Sequence, residues 1–229
     1  MKDDALEKFE GFSPKALAFL RDLAKNNRRE WFQPRKDLYE RELLDPLRSL
    51  VVDAVAAMRK AKIPLTADIR RSPFRIYRDI RFSRDKSPYK TNLGAYLSPG
   101  GVHDESGGLY VHIQPKNSFM ALAFYQLEKP ALERWRRAIA EHPARFQAMQ
   151  RALGKNKLKI SDEHIALKRM PRGYDSLADS PLERYLRMDS FVVSEDLTDR
   201  DVGSRRLIDK MVSLAKRGKP LVDYGRSVI

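Results

Sequence analysis

At 229 residues and 42% hydrophobic content the chain is long enough to bury a sizeable core, and its lack of cysteine removes disulfides, thiol nucleophiles and sulfur-rich zinc sites together. A net charge of +14 and a pI near 10.0 point to an anionic partner without specifying where it binds. No apolar run approaches membrane-spanning length, and the opening MKDDALEKFEGF is acidic where a secretory signal starts basic, so a cytoplasmic protein with no membrane partner is expected.

Helices come first, over about 13–62. Ser13 is placed to cap a helix with Pro14 at its first position, ahead of Leu17, Leu20 and Leu23, and Asn26-Asn27 end it. Asn27, with Glu30 three residues on, reads as a capping box opening a short turn that buries Trp31 and Phe32 before Pro34 interrupts. A longer helical stretch starts near Arg35. Pro46 either kinks that stretch or, with Asp45 as cap, opens a separate helix carrying Leu47, Leu50, Val51, Ala54, Val55 and Met58; the separate helix is the expectation.

Between about 74 and 125 the hydrophobic period changes from near 3.6 to 2, and glycine and proline punctuate short runs. This predicts a mostly antiparallel sheet of four strands: Phe74 to Phe82, Lys90 to Leu97, Leu109 to Gln114 and Ser118 to Tyr125. Ser98 to Gly108 is expected as an exposed loop and Lys116-Asn117 as a tight turn.

Helices return over about 130–226. Pro130 starts one that buries Leu132, Trp135 and Ile139, and His142-Pro143 ends it and opens another through Phe146, Met149 and Leu153 to Gly154. KNKLKI suggests a short strand, Ser180 to Glu183 a capped helix start, and Ser190 to Ser194 another short strand. A last helix carries Leu207, Met211 and Leu214 and stops near Gly218. With no repeat, no low-complexity tract and no linker-like boundary, the prediction is one α+β domain over 1–229, its central sheet packed by N-terminal and C-terminal helices.

Several chemistries need patterns this chain lacks. The phosphate-cradling Gly-x4-Gly-Lys-Ser/Thr loop, the dinucleotide-binding glycine pattern and the Gly-x-Ser-x-Gly nucleophile elbow are absent, and no cofactor is implied. None of the four histidines, His103, His112, His142 and His164, pairs with another at a helical zinc spacing, so no metal site is assigned. The loop GGVHDESGG brings His103, Asp104 and Glu105 together, as a weak metal site or as a solvated loop. In LYVHIQ, Tyr110, His112 and Gln114 share one strand face while Val111 and Ile113 pack inward. His112 is thus a candidate general base, or a half-exposed strand histidine.

The charge excess is focal. Arg70 to Lys90 holds eight basic side chains against Asp79 and Asp85. On an expected strand Phe74–Phe82, Arg78 interrupts an apolar face and needs an anionic partner, from elsewhere in the fold or from a ligand. A reversal centred between Asp85 and Lys86 sets Arg81 opposite Lys90 and Phe82 opposite Tyr89, an opposition of cations that a bound phosphate or carboxylate relieves. Asp79, on the face of Arg75, Tyr77 and Arg81, orients Arg81 or moves a proton. The competing reading is a solvated arginine-rich surface, since a one-residue slip of register separates Arg81 from Lys90.

The run FRIYRDIRFSRDKSPYKTNLGA, with FSPKALAFLRDLAKNNRREWF before it and YVHIQPKNSF after it, resembles the bacterial and fungal family called domain of unknown function 2461, and the tail segments LKRMPRGYD, Ser190-Phe191 and KPLVDY are similar too. The resemblance covers nearly the whole chain. It implies a single cytoplasmic α+β domain with Arg75, Arg78, Asp79, Arg81, Lys86, Tyr89 and Lys90 as signature positions, and it brings no established activity. Where the family usually shows a glycine pair after the second hairpin strand, this chain reads Ala121-Leu122-Ala123, which implies a narrower or altered site if those glycines admit a ligand.

The expected function is binding of an anionic small molecule by Arg75, Arg78, Arg81, Lys86, Tyr89 and Lys90, with Asp79 or His112 for proton chemistry, and it requires a concave pocket. The alternative is a nucleic-acid-binding module in which the same cations, with Tyr77 and Tyr89 as stacking platforms, form a basic surface continuing onto Lys155, Lys157 and Lys159.

Overall fold

The computed structural model describes residues 7–101 and 106–229. They divide into two compact units. One is built from the described part of Met1–Glu105 with Tyr110–Met120 and Asp196–Val212, the other from Ser106–Leu109, Ala121–Glu195 and Ser213–Ile229. No helix among the described residues is long and apolar enough to cross a membrane.

In the first unit the Ser13 hydroxyl accepts the Ala16 N–H at 3.1 Å, with Pro14 in the first turn of α1 (Pro14–Lys25), which buries Leu17, Leu20 and Leu23. Then come α2 (Arg29–Phe32), a 3-10 turn Gln33–Arg35, α3 (Lys36–Tyr39), a π turn Glu40–Leu44 and α4 (Asp45–Lys60). Asp45 is itself helical, with φ −68° and ψ −44°, which corrects the expected cap: the chain runs through Pro46 without a fresh start. A proline ring crowds the carbonyl four residues back and offers no N–H, and the wide π turn ahead of Pro46 accommodates both. Leu47, Leu50, Val51, Ala54 and Met58 of α4 are buried, as their spacing predicts.

The chain is α+β, with a four-stranded antiparallel sheet in its middle and helices at both ends. The strand order is β1 (Leu93–Leu97), β2 (Gly108–Ile113), β3 (Ser118–Phe124) and β4 (Phe191–Leu197). Asn117 N–H donates to the Gln114 carbonyl at 2.9 Å, and Lys116 takes a left-handed φ of 63° in the turn between β2 and β3. Segment 74–82 is not the expected strand. It contributes isolated antiparallel bridges, Tyr77 with Tyr89 and, just before it, Pro73 with Ala95. Prolines 73 and 88 cannot donate to a ladder, and a bend at Thr91-Asn92 changes the pairing register between the two bridges, delaying β1 to Leu93. The short run expected at Ser190–Ser194 is instead the full strand β4.

In the second unit, α5 (Lys129–Glu141) and α6 (Pro143–Lys155) meet at His142-Pro143 as predicted. The expected stop at Gly154 is not used. Lys157 takes the left-handed position with φ 58°, its N–H returning to the Gly154 carbonyl at 3.0 Å and that of Leu158 to the Leu153 carbonyl at 2.9 Å. That helix-ending turn occupies the residues expected as the strand KNKLKI. Beyond it, α7 (Glu183–Leu186) leads to β4; α8 (Asp199–Val202) and α9 (Arg206–Arg217) as far as Val212 belong to the first unit, and α10 (Lys219–Arg226), unforeseen from the sequence, belongs to the second. Trp135 of α5 is fully buried, stacked on Phe191 of β4 at 4.0 Å and edge-on to Tyr224 of α10 at 5.2 Å.

Candidate functional site

The reversal expected between Asp85 and Lys86 is a wide loop closed by its own side chains. Arg78 finds its partners locally rather than across the fold: Nη1 pairs with Asp85 and donates to the Ser87 carbonyl at 3.3 Å, and Nη2 reaches the Ser83 hydroxyl at 3.4 Å. Ser87 N–H donates to Asp85 at 2.9 Å, and the hydrogen bonds from Ser87, followed by that from Arg78, hold the Asp85 carboxyl down at about 2. Lys86 Nζ donates to the Ile80 carbonyl at 3.0 Å.

Arg81 is gripped by Asp79, Nε donating to Oδ1 at 3.0 Å and Nη2 to Oδ2 at 2.8 Å. These hydrogen bonds from Arg81 keep the Asp79 carboxyl below the usual range, so it is an ionised partner that orients Arg81. The expected register is thereby corrected. Tyr89 bridges Tyr77 rather than facing Phe82, and Arg81 is neutralised by Asp79 rather than set against Lys90. Phe82 is left 95% exposed at the loop, with the Arg81 guanidinium 5.8 Å from its ring centroid.

Tyr89 lies in the core, 1% exposed, its ring stacked on Phe32 at 4.1 Å. Both its backbone polar groups are held by Asn27, which therefore does not form the expected capping box; Arg28 occupies the N-cap position of α2 without a side-chain bond. Lys90 is half-buried, with Nζ 5.2 Å from the Phe74 ring centroid. Burial, then the neighbouring Arg75, lowers its pKa.

His112 shares a half-exposed face of β2 with Tyr110, while Val111 and Ile113 are fully buried, as the alternation predicts. Its Nε2–H donates to Gln114 Oε1 at 3.0 Å, which makes Nδ1 the acceptor for the Tyr110 hydroxyl at 3.1 Å. The ring stacks on Phe119 at 4.7 Å. Burial lowers the imidazole pKa, opposed by the Gln114 hydrogen bond, so His112 is a neutral side chain with both nitrogens engaged. Gly94 of β1 makes this packing possible: a Cβ there would lie 2.6 Å from the Tyr110 hydroxyl. The stretch His103, Asp104, Glu105 lies outside the described residues.

The first unit does contain a hollow. It is a cleft of about 240 Å³ between the helical run, through Phe32, Lys36, Tyr39, Glu40, Leu44 and Arg48, and segment 70–77, through Arg70, Pro73, Phe74, Arg75, Ile76 and Tyr77. Four cations meet one carboxylate there. Lys36 is 3.6 Å from Glu40, and Arg48 Nη1 is 3.0 Å from Asp45. The Arg70 and Arg75 guanidinium groups have no hydrogen-bond or ion-pair partner among the described residues. Tyr39 is 5% exposed beside Phe19 and Phe32, and its hydroxyl makes no hydrogen bond among the described residues. Burial pushes that hydroxyl up to about 12, which keeps it a donor at neutral pH.

Of the residues singled out in the sequence, Arg75 and Tyr77 line the cleft, while Lys90 lies outside its lining, next to the ring of one wall residue, Phe74. Arg78, Asp79, Arg81 and Lys86 brace the loop, and Tyr89 anchors the segment from beneath. Tyr39, Lys36 and Arg48 were not foreseen as site residues; Pro46 ahead of Arg48, the mark of a widened turn, was the available signal. The second unit holds a hollow of about 570 Å³ along Gln147, Gln150 and Ser180 to Arg187, but its cations are matched, Arg187 to Glu183 at 3.0 Å and Arg184 to Asp162 at 3.1 Å.

No curated protein and no solved structure matches the chain. The stretch matched at the level of a family, residues 15–224, takes in α1, every wall of the cleft, the braced loop and the helices through Tyr224, and the chain thereby belongs to the family described as conserved hypothetical protein (DUF2461).

Proposed function

We propose that the cleft of the first unit binds a small anionic molecule with a planar or apolar part, its phosphate or carboxylate held by Arg70 and Arg75. The observation that carries this is the pair of guanidinium groups without an internal partner on the wall of an aromatic-lined hollow, since such forks gain most from a bidentate anion. Phe74 and Tyr77 supply flat apolar surface, and the Tyr39 hydroxyl supplies a donor. A volume of about 240 Å³ favours a compact ligand over a dinucleotide. A reducing, cytoplasmic setting belongs to the proposal and rests on a chain of this size without cysteine.

Thermal unfolding in the presence of inorganic phosphate and of phenyl phosphate tests it. Both raise the midpoint of the wild type, phenyl phosphate more, and Arg70→Ala/Arg75→Ala folds normally but loses both effects. Equal stabilisation of the double variant sinks the reading.

A second reading, single-stranded nucleic acid bound along the loop, draws on Phe82, bare at 95% exposure beside Arg81 and Arg84. The burial of Tyr89 removes one of the stacking platforms it needs. Salt-sensitive binding of a mixed oligonucleotide that Phe82→Ala abolishes is its signature.

A further inference from the structure

We propose that Tyr39 sets the ligand class of the cleft: the compound that Arg70 and Arg75 hold by its anion carries, at its other end, a neutral hydrogen-bond acceptor such as a ketone oxygen, which the Tyr39 hydroxyl reads. This rests on the anion-binding reading of the cleft.

The two walls differ in what they leave unpaired among the described residues. On segment 70–77 it is the Arg70 and Arg75 guanidinium groups, and both are carried by fixed backbone. Phe74 N–H donates to the Gly94 carbonyl at 2.8 Å and Lys90 N–H to the Ile76 carbonyl at 2.7 Å, on either side of Arg75. Asp68 accepts the Arg70 and Arg71 N–H groups at 2.8 and 3.0 Å. On the helical wall the charges are matched, Lys36 with Glu40 at 3.6 Å and Arg48 with Asp45 at 3.0 Å, and the polar group left over is the Tyr39 hydroxyl.

Tyr39 closes α3 just ahead of the π turn, its ring tilted against Phe19 at 6.2 Å and Phe32 at 5.4 Å. Such packing uses the ring and not the hydroxyl, so a phenylalanine would serve it equally. The residue is 5% exposed, yet its hydroxyl is not sealed in the core as that of Tyr89 is. Tyr39 lines the cleft itself, and the ionisable groups that act on its hydroxyl, Arg48, Glu40 and Tyr77, line the same cleft. A ligand filling the cleft displaces water from this hydroxyl. An acceptor within reach restores the hydrogen bond, whereas a methylene there leaves the donor unpaired, the contrast that separates close analogues most sharply. Four cations against one carboxylate make the potential of the cleft positive, which suits a partly negative oxygen and repels an ammonium tail.

The probes are 3- and 4-acetylphenyl phosphate, each paired with its isopropenyl analogue, which keeps the shape but has a methylene in place of the ketone oxygen. In calorimetric titration of the full chain, at least one acetyl compound binds the wild type about tenfold tighter than its isopropenyl partner. Tyr39→Phe, which keeps the ring, erases that difference and leaves the affinity for phenyl phosphate at the wild-type value. Arg70→Ala/Arg75→Ala loses both compounds. Equal affinity of each acetyl compound and its analogue for the wild type, a comparison that needs no variant, overturns the inference, as does a preference that survives Tyr39→Phe. If phenyl phosphate then still binds through Arg70 and Arg75, the cleft remains an anion site and the role of Tyr39 alone is excluded; if it does not, both readings fall.

Discussion

Asn27 takes the place of a backbone neighbour for Tyr89: its Nδ2 donates to the Tyr89 carbonyl at 2.8 Å and its Oδ1 accepts the Tyr89 N–H at 3.0 Å. Asn27→Ala leaves both groups unpaired beside a core side chain, an expected loss of about 1–3 kcal/mol. Urea unfolding reads it as a lower midpoint at unchanged slope. Asn27→Asp keeps the acceptor and loses the donor, so it falls between the two.

Gly94→Ala drives a Cβ to 2.6 Å from the Tyr110 hydroxyl and 2.8 Å from its ring. Tyr110 must move and surrender its hydrogen bond to His112, at an expected cost of about 1–3 kcal/mol. In a double-mutant cycle with Tyr110→Ala the two costs are less than additive. Strict additivity would separate the two positions.

His112 binds a proton less tightly in the fold than an exposed imidazole does, because of burial. The unfolded chain therefore holds more protons in this range, and the stability His112 confers is full above about 6.5 and lost as pH falls through the lowered folded value. The gap in urea midpoint between wild type and His112→Gln narrows from about pH 7.5 to about pH 4.5. A gap that stays constant, or widens, contradicts the assignment of a neutral imidazole.

Asp85→Asn removes the charge that Arg78 and Ser87 share and should loosen the braced loop without touching the helices. Amide exchange at Ser87 quickens while exchange along α4 stays as in the wild type. Unaltered protection of Ser87 would show that the loop is held by other means.

The elements with strong local chemistry were legible in the sequence. Ser13-Pro14 opens α1, His142-Pro143 separates α5 from α6, and the alternation of LYVHIQ sets the faces of β2, each fixed by groups within a few residues. What failed was decided at longer range or by competition. Asn27 has the spacing of a cap, but its amide goes to Tyr89, sixty-two positions away. Arg78 on an ideal strand lacks a partner; with Asp85 in reach, the chain departs from the strand to make the pair, and the register argument for Arg81 and Lys90 goes with it. The site was legible as a region and not as a set of side chains. Charge density pointed to 70–90, whereas the opposing wall, Lys36, Tyr39 and Arg48, sits on helical turns whose sequence reads as ordinary surface.

The π turn at Glu40–Leu44 has a consequence for that wall. Phe32, Lys36, Glu40, Leu44 and Arg48 all face the cleft at intervals of four, yet at 3.6 residues per revolution each such step overshoots by about 40°, enough over the whole run to carry Arg48 toward the far side. A supernumerary residue in the wide revolution resets the winding phase. Tyr39 and Arg48 thereby share one hollow while Leu47 and Leu50 stay inside, and trimming that residue would turn the two halves of the wall about 100° out of step.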